Sequence, residues 1–392
     1  MLYLFTHSPR LFVNLIVLYV IKQMLKVFYV FPINEKKIIF VSYGGKQISC
    51  NPYYIYKRIK VKDPHKYIVY WVSSSLKRDR IFKEDYLLYN KGIKYLFHLL
   101  TAKVIIENDG LKPYIPIRRK QLLINTWHGG GLFKKNFGRA TTSEMVYISY
   151  LRKITKNNIK LYLSSCRAWT DIVARVTFAY CGEVLKSGFP RNDLFFGTTD
   201  KIAIDVKKYF SIPIENKIIL YAPTFRGGTR GIRKGVSDLE IIDVKAIIEN
   251  LEIKTGNKYC FLFRGHHASD EKFIEGVLDA SSYPDMQELL AAADIFISDY
   301  SSCLWDYSLS YRPCFIYAPD FDTYSKSPGF ESDYREWPFP IAKSNESLLR
   351  EMDIFNSSNY VDKVKKYHNQ YGSYEKGTAA DSVLDYIANW NM

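Results

Sequence analysis

The stretch KKIIFVSYGG (36–45) is a short apolar run that ends in a glycine turn, and the chain returns to that design again and again. YIVYWVSS (67–74), AKVIIENDG (102–110) and QLLINTWHGGG (121–131) follow it in the first half. NKIILYAPTFRGG (216–228), KYCFLFRGHH (258–267), ADIFISDYSS (293–302) and RPCFIYAPD (312–320) follow it in the second. Runs that are apolar throughout, separated by helical intervals, predict parallel strands covered on both faces. Ligands of such sheets bind beyond the carboxyl ends of the strands, where these turns lie.

A length of 392 residues suits two domains, and 47% hydrophobic residues suffice for two cores. The two series of runs meet near 185–205, so we expect an α/β domain over 34–195 and a second over 196–375. The closing run KGTAADSVLDYIANW predicts a terminal helix in 376–392 that crosses back to the first domain. GGTRGIRKGVSD (227–238) reads as a mobile loop. The six cysteines form no CxxC pair and no zinc spacing with histidine, as expected of reduced core residues in a cytosolic protein.

Residues 1–33 read as a basic amphipathic segment. Between Arg10 and Lys22 lie 11 residues, LFVNLIVLYVI, against the roughly 20 needed to span a bilayer. The segment continues as KQMLKVFYVF, with Lys22 and Lys26 four apart, and stops at Pro32; the expectation is a helix lying on the inner membrane face, and a helix packed on the first domain is the alternative. The net charge of +15 favours anionic partners, whether membrane, nucleotide or nucleic acid. The basic residues are dispersed and no nucleic-acid-binding motif appears, so nucleic acid is not expected.

TWHGGGLFKK (126–135) sets His128 just past a predicted strand, where a ring with an ordinary pKa near 6.5 suits a general base. Gly129, Gly130 and Gly131 let backbone approach a ligand, and Lys134 and Lys135 add charge for phosphate. The HGGG of esterases would require a G-x-S-x-G elbow, which this chain lacks. FRGHH (263–267) groups Arg264, His266 and His267 at a strand end, a set better suited to pyrophosphate than to zinc. In SDYSS (298–302), Asp299 ends a strand, and Ser301 and Ser302 open a helix as caps or as a phosphate seat. YAPTFR (221–226) places Thr224 and Arg226 at the same edge. Asp320-Phe321-Asp322 spells a D-x-D that falls too late in the chain for a GT-A layout. No Walker loop or G-x-G-x-x-G is present.

In this order, FVSYGGKQISCNP (40–52), TWHGGGLFKK, GFPRND (188–193), YAPTFR, FRGHH and SDYSSCLWDYSLSYRP (298–313) resemble the CDP-glycerol glycerophosphotransferase family, over about residues 36–390. Three positions depart from its pattern: Gly130-Gly131 stand for Thr-Pro, His267 for a proline and Ser298 for a threonine. The resemblance implies a GT-B fold of two doubly wound, Rossmann-like domains facing across a cleft, bound to the cytoplasmic membrane face. It implies transfer of glycerol phosphate from CDP-glycerol to a lipid-linked saccharide or glycerol-phosphate polymer, with CMP released. By motif, His128 resembles the catalytic base and His266 the second essential histidine. Arg264, His267, Thr224, Arg226, Asp299, Ser301 and Ser302 would line the donor site, with Arg191 and Asp193 on the acceptor side. CMP leaves readily as a phosphate monoester, so no metal or other cofactor is expected. A sugar or ribitol-phosphate transferase is the alternative. The length leans toward a primase or short-chain transferase.

Overall fold

The computed structural model describes residues 1–75, 80–135, 140–155, 158–224, 241–265 and 276–390. It divides into two compact units. One holds Met1–His128, Arg139–Asp193 and Tyr374–Met392; the other holds Gly129–Gly138 and Leu194–Ser373.

The first unit is built on seven parallel strands: β1 (Asn34–Val41), β2 (Ile68–Ser73), β3 (Tyr86–Tyr89), β4 (Ala102–Glu107), β5 (Leu122–Asn125), β6 (Leu161–Leu163) and β7 (Glu183–Leu185). Their order is β3-β2-β1-β4-β5-β6-β7. Successive side chains of β1 alternate between two cores, as the period of two requires. Ile38 and Phe40 pack with Ile55, Tyr56 and Ile59 of the helix Cys50–Lys62. Ile39 and Val41 pack with Leu99 and Leu100 of the helix Gly92–Thr101. Val383, Leu384 and Ile387 of the terminal helix Ala379–Asn389 join the first of these cores.

The second unit has six parallel strands: β8 (Lys217–Tyr221), β9 (Tyr259–Phe263), β10 (Val277–Asp279), β11 (Ile295–Ser298), β12 (Cys314–Tyr317) and β13 (Ile341–Ala342). They run β10-β9-β8-β11-β12-β13, repeating the 3-2-1-4-5-6 order of the doubly wound fold. Residues 129–135 belong here because Leu132 and Phe133 are buried in this unit. Phe133 meets Trp337 edge-on at 5.1 Å, and Lys134 bridges to Phe330.

The N-terminal segment is helical from Leu2 to Val30 apart from Ser8. Pro9–Met24 is helical, and a 3-10 turn, Leu25–Val30, carries it on past both lysines. The resulting 22 residues, Pro9–Val30, are long and apolar enough to cross a membrane by length and composition, a test that core helices and signal sequences also pass. Lys22 is half-buried. Its Nζ donates to the Ile154 carbonyl at 2.6 Å and to Asn158 Oδ1 at 3.4 Å. These bonds tie the helix to the first unit, the packing named above as the alternative.

Candidate functional site

In a 3-2-1-4 sheet the connections leave in opposite directions on either side of strand 1, opening a crevice between strands 1 and 4. In the first unit that point lies past Val41 of β1 and Glu107 of β4, and His128 sits there. Its Nδ1 lies 2.7 Å from the Asn108 carbonyl, immediately beyond β4. A carbonyl only accepts, so Nδ1 carries the proton, and the neutral ring keeps its lone pair on Nε2. Burial holds the ring below its ordinary pKa. The Asn108 carbonyl and the Asp109 charge oppose that shift, and Arg191 adds to it. A neutral imidazole with Nδ1 anchored and the lone pair on Nε2 has the chemistry that general-base catalysis requires.

The anchor is itself built from buried polar groups. Asn108 Oδ1 accepts the Tyr43 amide at 2.8 Å. The fully buried Glu107 carboxylate accepts the amides of Asp109, at 2.8 Å, and Gly110. Burial pushes Glu107 up to about 7, against the pull of those two amides. From the other side Arg191 donates to the His128 carbonyl at 2.7 Å and to Cys50 Sγ at 3.0 Å. Asn51 Nδ2 donates to the carbonyls of Thr126 and Trp127. Tyr43, Cys50 and Trp127 all have left-handed backbone, with φ of 47°, 62° and 52°. Each such residue costs on the order of 1–3 kcal/mol, and such strain collects at working sites. The Tyr43 and Trp127 rings lie 5.5 and 4.5 Å from the His128 ring.

Arg191 therefore belongs with His128 as a support for its backbone. Asp193, grouped with it by sequence, has a different job. Its carboxylate accepts the amides of Ala379 and Ala380 at 2.9 and 2.8 Å, holding the first turn of the terminal helix. The turn at 188–193 that carries Asp193 is itself tied by Glu375, which accepts from Phe189 N and Asn192 Nδ2. Gly188 of this turn has φ +81°, and a Cβ there would stand 2.4 Å from Glu375 Oε2. Asp193→Ala is expected to cost about 1 kcal/mol, the usual worth of an N-terminal cap, read as a lower urea midpoint with kcat unchanged.

The Gly130-Gly131 departure has a steric cause in the second unit. A Cβ on Gly130 would lie 2.5 Å from Trp305 Cδ1, and Gly131 has φ +62° with Phe133 and Trp305 within 3 Å of its would-be Cβ. The indole of Trp305, fully buried, occupies the volume that Thr-Pro would need, and proline cannot adopt that φ. Restoring Thr-Pro is expected to destabilise the chain by about 3 kcal/mol, with a smaller added cost in a Trp305→Ala background; urea unfolding checks both. Lys134 and Lys135 of this stretch are exposed.

The corresponding switch point of the second unit lies past β8 and β11, and a carboxylate spans it. Asp299, fully buried, accepts the Thr224 amide at 3.0 Å, the Thr224 hydroxyl at 2.7 Å and the Tyr300 amide at 2.6 Å. Ser301 and Ser302 follow, partly exposed. The Ser301 hydroxyl accepts weakly from Cys303 N at 3.3 Å, and Ser302 stands at the N-cap position without capping through its side chain. Arg264 is half-buried at the end of β9. Its guanidinium holds the carbonyls of Ala280 and Tyr283 at 3.2 and 2.8 Å, so part of it serves structure. Arg226, His266 and His267 lie outside the described residues, as does the whole loop expected at 227–238. The D-x-D is structurally committed: Asp320 accepts from the Tyr300 hydroxyl at 3.0 Å, and Asp322 pairs with Lys343 at 2.7 Å.

Known proteins bear on this arrangement in three ways. The chain is 30% identical over 370 residues to a teichoic acid poly(glycerol phosphate) polymerase of Bacillus spizizenii, covering 90% of this chain and 92% of the relative. It is also 30% identical to the polymerase of that name from Bacillus subtilis, of which it spans about half the length (49%). Among solved structures, a variant of the wall teichoic acid polymerase TagF soaked with CDPG superposes with a TM-score of 0.79 at 26% identity, over 99% of this chain and 98% of that one. The family model for CDP-glycerol:poly(glycerophosphate) glycerophosphotransferase matches residues 23–389. With that match over nearly the whole chain, and a neutral histidine anchored at the switch point of its first sheet, the chain belongs to the CDP-glycerol:poly(glycerophosphate) glycerophosphotransferase family.

Proposed function

We propose that this chain transfers the glycerol-phosphate group of CDP-glycerol to a hydroxyl of a lipid-linked saccharide or glycerol-phosphate polymer during teichoic acid synthesis. The observation that carries the reading is the Nδ1 bond of His128 to the Asn108 carbonyl, which leaves Nε2 basic. In the proposed step Nε2 takes the acceptor's hydroxyl proton as that oxygen bonds to the glycerol-bearing phosphorus. The bond from that phosphorus to the bridging oxygen breaks, and CMP leaves with the electron pair. Little covalent work falls to the protein in such a transfer; positioning and charge stabilisation dominate. Ser301 and Ser302, partly exposed just past Asp299, supply hydroxyl donors for phosphate oxygens, while Thr224 spends its amide and hydroxyl on the Asp299 carboxylate and so fixes the loop. By family resemblance His266, Arg226 and His267 supply charge.

The test is incubation with labelled CDP-glycerol, CDP-ribitol and UDP-sugars, each with a lipid acceptor. CMP is expected from CDP-glycerol, with equimolar label in the lipid phase. Release from CDP-ribitol alone would move the assignment to the ribitol donor. The number of glycerol phosphates added per acceptor separates a primase from a polymerase.

The reading includes peripheral attachment to the cytoplasmic face of the membrane through the N-terminal helix, supported by the exposed side chains of Val13, Ile16, Val17, Val20, Met24 and Val27. Val17→Glu with Val20→Glu is expected to release the protein from vesicles while CMP release on a soluble acceptor persists. Undiminished sedimentation with vesicles would place the attachment elsewhere.

A further inference from the structure

At the far end of the apolar helix, an open pocket of about 650 Å³ is lined by Lys26, Tyr29, Glu35, Arg118, Arg119 and Lys120, among others. It is not part of the site described above. Glu35 lies at the start of β1, and Ile117–Lys120 lie just before β5, whereas His128 follows the end of β5. The pocket therefore opens at the amino edge of the sheet, at least a strand's length, about 13 Å, from the catalytic edge.

Its charge is one-sided. Among the described residues no carboxylate pairs with Lys26, Arg118, Arg119 or Lys120, while the single acid, Glu35, pairs with Lys103 at 2.7 Å. Lys160 stands near enough for Arg119 to lower its pKa further, beyond the effect of burial. Arg118 is locked in place. It donates to the carbonyls of Phe31, at 2.7 Å, and Phe28, and its guanidinium lies 4.7 Å over the Tyr29 ring. Its Nε is buried without a hydrogen-bond partner. Lys26 Nζ is held by Gln23 Oε1 at 2.6 Å. Uncompensated cations gathered in one pocket repel one another and lower stability unless an anion joins them.

The neighbours of the pocket identify the anion. Met24, Val27, Val30 and Phe31 are 68%, 70%, 77% and 43% exposed, and they flank Lys26 and Tyr29 in sequence. A soluble polyanion has no use for that apolar rim. A phosphate that carries acyl chains satisfies both parts, its head among the cations and its tails against the valines. The geometry points to a binding site for the phosphate headgroup of an anionic phospholipid, formed by Lys26, Arg119 and Lys120 on a frame fixed by Arg118. This rests on the membrane attachment proposed above and adds to it a defined site for one class of lipid.

The test uses the full chain and vesicles of phosphatidylcholine with or without phosphatidylglycerol. Lys26→Ala/Arg119→Ala/Lys120→Ala keeps the Arg118 staple, and a control, Lys363→Ala/Lys365→Ala/Lys366→Ala, removes the same charge from an exposed helix of the second unit. The pocket variant is expected to lose on the order of a hundredfold in partitioning to phosphatidylglycerol vesicles, with binding to pure phosphatidylcholine unchanged. The control is expected to lose far less, and CMP release on a soluble acceptor is expected to persist in both. Equal losses in the two variants would show diffuse surface charge and overturn the site. So would a pocket variant that binds the anionic vesicles normally but loses affinity for soluble poly(glycerol phosphate), which would make the pocket a polymer site. If the wild-type chain bound no vesicle of either kind, the membrane attachment itself would fall.

Discussion

His128→Ala is expected to lower the turnover number for CMP release by about a thousandfold, the scale of general-base assistance, while CDP-glycerol still binds within a few-fold of wild type. The side chain of His128 lies in the first unit, whereas Thr224, Asp299, Ser301 and Ser302 lie in the second, so truncating the ring leaves those donor-side groups intact. The pH profile carries a second signature. A base must be deprotonated to act, so activity is present above its pKa and is lost as pH falls through it. Burial depresses the His128 pKa, so the acid limb of the kcat profile is expected below pH 6.5. Asp109→Asn removes a charge that raises that pKa and is expected to move the limb lower still. An acid limb well above 6.5, or one that Asp109→Asn leaves in place, would remove His128 as its source.

The second large effect is expected at Asp299. Asp299→Ala strands three donors in a fully buried position: the Thr224 amide, the Thr224 hydroxyl and the Tyr300 amide. An unsatisfied buried donor costs about 1–3 kcal/mol, so a loss of about 3–5 kcal/mol in stability follows if the loops cannot rearrange. Because the same bonds set the loops proposed to receive the donor, kcat/KM for CDP-glycerol is expected to fall about a hundredfold, chiefly through KM. Asp299→Asn keeps one acceptor oxygen and should recover much of the stability. Thermal melting beside steady-state kinetics separates the two effects. An alanine variant that melts early yet keeps its KM would confine Asp299 to a purely structural role.

The sequence exposed the central strands of both sheets and hid the rest for a physical reason. β1, β2, β4, β5, β8, β9, β11 and β12 are apolar runs because both of their faces are covered. β3, β6, β7, β10 and β13 are two to four residues long, and their pairing comes from neighbours, so no local pattern marks them. His128 stood out as a titratable ring beside glycines at a strand end. Its partner did not, because Asn108 gives His128 a backbone carbonyl, which every residue possesses. Glu107 and Asn51 were visible within quoted runs, yet nothing in their spacing announced that both would be buried, one holding the turn at 109–110 and the other the carbonyls of Thr126 and Trp127. The bonds of Asp193 were hidden for a related reason. The residue belongs to a motif with Arg191, but two residues along a turn point in different directions, one to His128 and the other to the terminal helix. The Gly130-Gly131 pair became intelligible only when the fold brought Trp305 against it.

The most direct test of the account is a single-turnover experiment with labelled CDP-glycerol and a lipid acceptor, comparing the wild-type chain with His128→Ala at equal donor occupancy. The account predicts rapid transfer of label to the lipid with one CMP per glycerol phosphate in the wild type, and transfer slowed about a thousandfold in the variant with donor binding retained. Transfer at the wild-type rate by His128→Ala, with the donor bound equally in both, would contradict it.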